Sequence, residues 1–161
     1  MSRRDERDEE DLTELKGAFS AQIIDAAAAA IAAVWPEFPV YDEAIPQNLQ
    51  EPCFSLRCID AAQLRFMGER WKAKCSLRIY FFPPAEKPCR AMAEALEGLS
   101  TALELINCAS GAVRGGNMQA HVEDDVGVFT VDYEAFLVRT EATEGMEELD
   151  FKIIDMKEDQ A

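Results

Sequence analysis

The chain of 161 residues reads as an α+β domain: a mainly antiparallel or mixed sheet of about five strands with two main helices packed on one face. Three observations carry that reading. From Trp71 to Phe82 the residues alternate, with Cys75, Leu77, Ile79 and Phe81 on one side and Lys74, Ser76, Arg78 and Tyr80 on the other, the period of a half-buried strand. From about Cys89 to Asn107, Met92, Leu96, Leu99, Leu103 and Ile106 recur at spacings of four and three, which makes one apolar stripe on a helix. The last third joins period-2 segments by tight turns, and strands joined in that way are antiparallel.

Taken in order, residues 1–10 read as a charged flexible leader, 11–140 as a single α+β domain, and 141–161 as an acidic C-terminal arm. A first helix runs from about Asp11 to Val34. Leu12, Leu15, Phe19, Ile23, Ala27, Ala30 and Val34 share its apolar face, and Pro36 stops it. Its alanine-rich second half favours helix and permits close approach of another element. Val40–Glu43 is a short strand candidate and Ile45–Asn48 a turn. Pro52–Ile59 is a better strand, with Phe54, Leu56 and Cys58 alternating against Cys53, Ser55 and Arg57. Asp60–Glu69 reads as a connection with room for a helical turn. Pro83-Pro84 ends the strand from Trp71, because proline offers no N–H to a ladder. The helix from Cys89 follows. Gly115-Gly116 then reads as a two-residue hairpin turn between Ala112–Arg114 and a returning strand, Asn117–Glu123. Asp124–Gly127 is a second turn. Val128–Val138 is the longest strand, with Phe129, Val131, Tyr133, Ala135 and Leu137 on one face.

Composition narrows the class. Nearly half of the residues are apolar, which is too many for a disordered chain, and no apolar run approaches the roughly 20 residues of a membrane span. The start lacks the apolar stretch of a signal peptide, which suits a protein made in a cytoplasm. The five cysteines are odd in number and show no Cys-x-x-Cys spacing, so they read as free, mostly buried thiols. The charge is strongly acidic, 31 Asp and Glu against 16 Lys and Arg, net −15, and residues 141–161 alone hold eight acids and two lysines. A basic footprint for DNA is absent.

The chain lacks a catalytic constellation. Asp124-Asp125 is the most tempting carboxylate pair, but it falls in a turn, where Asp is favoured for its own reasons. His121 is the sole histidine and sits on a strand, so no His-Cys cluster of zinc-site spacing exists. Gly115-Gly116 has neither the following Lys-Ser/Thr nor the helix of a phosphate loop. No Ser or Cys sits in a nucleophile elbow. The reading is therefore of a protein that is not an enzyme and has no cofactor. Inside the acidic arm, Leu149, Phe151 and Ile153 alternate, with Met146 before them and Ile154 after. Such a stripe either docks on its own domain or reaches a neighbouring copy and adds to a sheet edge.

The ordered pieces resemble the phage tail terminator family, in its small form from phages and prophages of Gram-positive and gut bacteria. The resemblance is carried by Val34-Trp35-Pro36-Glu37-Phe38-Pro39, then Val40–Ile45, and by Glu51–Leu56 after a polar turn. It continues in Ile79-Tyr80-Phe81-Phe82-Pro83 with the helix holding Met92–Leu96, in Val113–Met118, in Asp124–Tyr133, and in Met146–Leu149. It covers about residues 11–150. The charged leader and the Ala26–Ala33 run depart from the family's pattern.

The resemblance implies a structural virion protein that forms a ring, usually of six copies, on the head-proximal end of the tail tube. Such a ring ends tube polymerisation and presents the head-joining surface, without catalysis or cofactor. It implies as partners other copies of the chain, the tail tube protein and a head-completion or neck protein, with no membrane and no specific nucleic-acid binding. DNA would pass through an acidic lumen. The place would be the virion tail, after assembly in the host cytoplasm. The candidate subunit and tube interface is Arg114, Gly115, Gly116, Asn117 and Met118 at an exposed tip, with Met146, Leu149, Phe151, Ile153 and Ile154 of the arm. Two alternatives are a neck or head-completion protein and, from another class, a monomeric ligand-binding or regulatory α+β domain.

Overall fold

A computed structural model describes residues 19–43, 47–141 and 149–154. Its elements are α1 (Phe19–Val34), β1 (Val40–Tyr41), β2 (Cys53–Met67), β3 (Arg70–Phe82), α2 (Pro88–Ala102), β4 (Leu105–Cys108), β5 (Gly111–Glu123), β6 (Val126–Glu141) and β7 (Leu149–Ile154). The sheet runs β1-β2-β3-β6-β5-β4, with β7 also alongside β6. All pairs are antiparallel except β1 with β2, so the sheet is mixed. The architecture is the α+β arrangement the sequence predicts, with seven strands rather than about five among the described residues.

The core forms where the period-2 and helical stripes meet. Leu77 pairs with Val131 and Ile79 with Phe129, so the odd-numbered residues of both long strands share one face. That face is buried from Cys75 to Phe81 and from Phe129 to Leu137, and α1 and α2 close over it through Ile23, Ala27, Ile31, Met92, Ala95 and Leu99. Phe54 and Phe81 stack at 5.0 Å, and Trp35 lies 4.8 Å from Phe54.

The structure corrects several element boundaries. In α1 the buried face ends at Ile31, not at Val34, which is 52 % exposed. Helical drift turns Val34 outward just before Pro36, and Trp35 takes over the packing. Leu12 and Leu15, the leader and the Ile45-Pro46 start of the first turn lie outside the described residues. The 60–69 connection is no helical turn: β2 continues to Met67 and turns into β3 at Gly68, whose φ is +56°. Pairing along the whole of β3 stabilises this hairpin where local alternation fails, and register shifts after Cys58 and after Arg65 break the period-2 pattern.

The second helix stops at Ala102. Leu103 closes it by donating its N–H to Leu99 O at 2.9 Å, and Ile106 reaches the core from β4 instead. A stripe at spacings of four and three could not reveal that change, because both conformations bury Leu103 and Ile106. Gly115-Gly116 is not a hairpin turn either. β5 runs through it from Gly111 to Glu123, and the turn lies earlier, between Cys108 and Gly111. Asp124-Asp125 does turn the chain, with φ of 51° and 61°, but Gly127 belongs to β6.

Candidate interaction surface

The residues singled out around Arg114 do not stand at a tip. They lie where β5 crosses from β4 to β6. Gly115 donates its N–H to Glu104 O at 2.7 Å, and a Cβ there would sit 2.6 Å from Leu103 O. The same carbonyl accepts the buried Tyr133 hydroxyl at 2.7 Å. Burial pushes the Tyr133 hydroxyl well above its usual pKa. Gly115 is thus glycine because two strands and a helix end close on it. Gly116, by contrast, faces open space. Arg114 pairs with Glu104 at 3.3 Å on the surface, and Met118 packs against the core.

A polar ladder lies on the sheet face turned away from the helices. Asp132 accepts hydrogen bonds from Ser76 Oγ at 2.5 Å and from Asn117 Nδ2 at 2.9 Å. Asn117 reaches it from a left-handed backbone, φ 51°, at a register shift in β5. Burial pushes the Asp132 carboxyl up, but those two bonds and Lys74 outweigh it, and the net pKa lies below the usual value. Glu134, on the same face, pairs with Lys72 at 3.5 Å and Lys74 at 3.8 Å.

At the β2–β3 turn, Leu64, Phe66 and Met67 are 63 %, 56 % and 69 % exposed. Phe66 meets Phe136 at 5.2 Å. This is a large apolar end for a monomer to present to water. Sequence reasoning missed it, although Leu64, Phe66 and Met67 beside a glycine were the available signal. The arm is placed only in part. Leu149, Phe151, Ile153 and Ile154 fall on β7, whose backbone pairs with Phe136–Glu141 of β6, and Met146 lies outside the described residues.

A groove of about 700 Å³ is lined by Pro83, Pro84, Met92, Leu96 and Val126, together with Glu51, Asp124 and Asp125. His121 is exposed and lies 3.4 Å from Glu123 Oε2. Among the described residues no group of three or more His, Cys, Asp or Glu could hold a metal ion, and no helix is long and apolar enough to cross a membrane. All five cysteines are free. Burial raises the Cys53, Cys75 and Cys108 thiols to about 11, 12 and 11, while Cys89 is exposed.

Comparison with known proteins places this fold. A chain of a native gene transfer agent virion particle superposes with a TM-score of 0.51 at 22 % identity, over 76 % of this chain and 96 % of that one, a likeness of fold. No curated protein matches the sequence. The family model described as phage tail terminator protein matches residues 22–146, which span both helices and β1 to β6. The chain therefore belongs to the phage tail terminator family, structural proteins of the phage tail.

Proposed function

We propose that this protein forms a ring, of six copies, on the head-proximal end of a phage or phage-like tail tube, where it ends tube polymerisation and presents the surface that the head joins. The observation that carries the reading is the family match over residues 22–146. The sheet supports it, because it stays open at both sides. β1 pairs β2 only at Phe54 and Ser55, and β4 pairs β5 only up to Arg114, so long stretches of both strands have no strand partner on their outer side among the described residues. Open edges invite another chain, and a head-to-tail contact between unlike edges closes into a ring when the rotation between copies divides a full turn. Its partners would be its own copies, the tail tube protein and a head-completion or neck protein, with no cofactor and no catalysis.

The acidic excess suits a lumen through which DNA passes without being held, since like charge repels phosphate over about 8 Å at physiological salt. The exposed Leu64–Met67 end suits the tube or a neighbour. Deleting the gene tests the reading. It predicts tubes of uncontrolled length or tails without heads, and a ring at the tail end in wild-type particles. Normal tails that join heads in the deletion strain would refute it.

A further inference from the structure

On the sheet face away from the helices, Arg57 and Arg78 stand directly opposite each other across β2 and β3. Like charges so placed repel. Among the described residues neither guanidinium has an ion-pair partner, in a chain with 31 acids. Arg78 Nε is buried without a hydrogen-bond partner. Diagonal to it, Ser55, 1 % exposed, has its Oγ unpartnered as well. Arg57 lies over the Tyr80 ring at 5.8 Å, which fixes its place without satisfying its donors. Buried donors left unpaired are costly. The partner that suits the outer ends of two guanidinium forks is a carboxylate or phosphate.

The notch opens at a free edge, since β2 has no strand on its outer side after Ser55 among the described residues. The other free edge, that of β5, ends in Glu123, Asp124 and Asp125. Both aspartates have left-handed backbones in the β5–β6 turn, and among the described residues neither pairs with a cation. One edge of the sheet is therefore flanked by two opposed arginines, and the other ends in an acidic turn. Such a pair is complementary head to tail, not tip to tip, and that is the contact from which rings close.

We propose that the Arg57–Arg78 notch receives the Glu123–Asp125 tip of a second copy of this chain and sets the register of the ring. The inference rests on the ring reading above. A carboxylate of a neighbouring copy fits better than a phosphate of passing DNA, because the two arginines lie beside a strand edge open to another chain, where a resident partner holds its place.

The test is complementation of a deletion strain, with copies per purified tail counted by quantitative mass spectrometry and electron microscopy. Arg57 is exposed, so Arg57→Glu is expected to keep the wild-type melting temperature and to lower tail occupancy at least about tenfold. Adding Glu123→Arg or Asp125→Arg is expected to restore occupancy in at least one of the two pairs. Normal occupancy of Arg57→Glu overturns the inference, as does failure of both pairs to restore it. Normal occupancy with lost DNA delivery overturns it in favour of phosphate. Wild-type particles carrying isolated copies rather than a ring would instead defeat the ring reading itself.

Discussion

Two neighbouring glycines offer a sharp test of the packing. In Gly115→Ala the new methyl would lie 2.6 Å from Leu103 O, 2.9 Å from Val131 Cγ2 and 3.1 Å from Tyr133 Cε1. The first of these is backbone, held by the end of α2, and cannot swing away as a side chain could. Forcing a methyl into such a place costs about 1–3 kcal/mol. Retreat of Leu103 also strains the 2.7 Å bond from the Tyr133 hydroxyl, and a buried hydroxyl left unpaired adds about 1–3 kcal/mol. The expected total is about 2–6 kcal/mol. At about 2–4 °C per kcal/mol for a chain of this size, the melting temperature falls by roughly 4–24 °C. Gly116→Ala meets nothing within 4 Å and should stay within about 0.5 kcal/mol of wild type. Thermal and urea unfolding of the two variants compares them directly. Gly115→Ala on a Tyr133→Phe background should cost less than the two changes added, because both act through Leu103 O. If Gly115→Ala and Gly116→Ala melt within about 2 °C of each other, the close approach at Gly115 is not a determinant of the fold.

Other outcomes follow from the same core. Ile79→Asp puts an unpaired charge at a site with no solvent exposure and should abolish cooperative unfolding; a near-native melting curve would remove Ile79 from the core. Cys53, Cys75 and Cys108 hold their protons up to about 11, 12 and 11 when folded, against 9.0 for an unhindered thiol. Their contribution to stability is complete below pH 9 and lost as pH rises toward those values. Stability should then fall as pH rises above 9, and a flat profile of unfolding against pH would contradict this. Asp132 has the opposite sign: its pKa is depressed, so its contribution is present above the usual carboxylate pKa and disappears as pH falls through the lower folded value. Asp132→Asn should remove that acid-limb dependence and cost about 1 kcal/mol at neutral pH, read by denaturant titration at several pH values.

The parts legible in the sequence are those whose burial is one-sided. Cys75 to Phe81 and Phe129 to Leu137 alternate because one face meets the helices and the other meets water, and both strands lie where the alternation places them. The boundaries that failed are those set by distant partners. The chain leaves the helix after Ala102 because Glu104 O takes the Gly115 N–H, a bond across the fold that no local pattern announces. Gly115-Gly116 carries the composition of a turn, but one glycine admits a neighbouring backbone and the other faces open space. The β2–β3 hairpin was hidden for a related reason. Its outer half packs on little, so the sequence from Asp60 to Met67 had no buried face to display, and register shifts broke the remaining alternation. Opposed arginines are also invisible before the register is known, since Arg57 and Arg78 are 21 positions apart and meet only through pairing.

The acidic arm poses the remaining question, and truncation separates its two roles. Residues 149–154 pair with Phe136–Glu141, beyond the point where β5 leaves β6 at Gly115. Deleting 144–161 therefore removes a strand from the far end of β6 while leaving its pairing with β3 and every helix contact of the core in place. The domain should stay folded and cooperative, with a fall of a few degrees in melting temperature rather than collapse. The deletion also removes seven of the 31 acids, and with them Leu149, Phe151 and Ile153. If those residues hold a neighbour or the tube, the folded truncation fails to terminate tails and gives tubes of uncontrolled length or tails without heads. Shortening only 155–161 distinguishes strand from tail: it spares β7, so a defect confined to the longer deletion assigns the contact to residues 144–154. Tails of normal length that join heads in both truncations would mean that the segment serves its own domain and solubility alone.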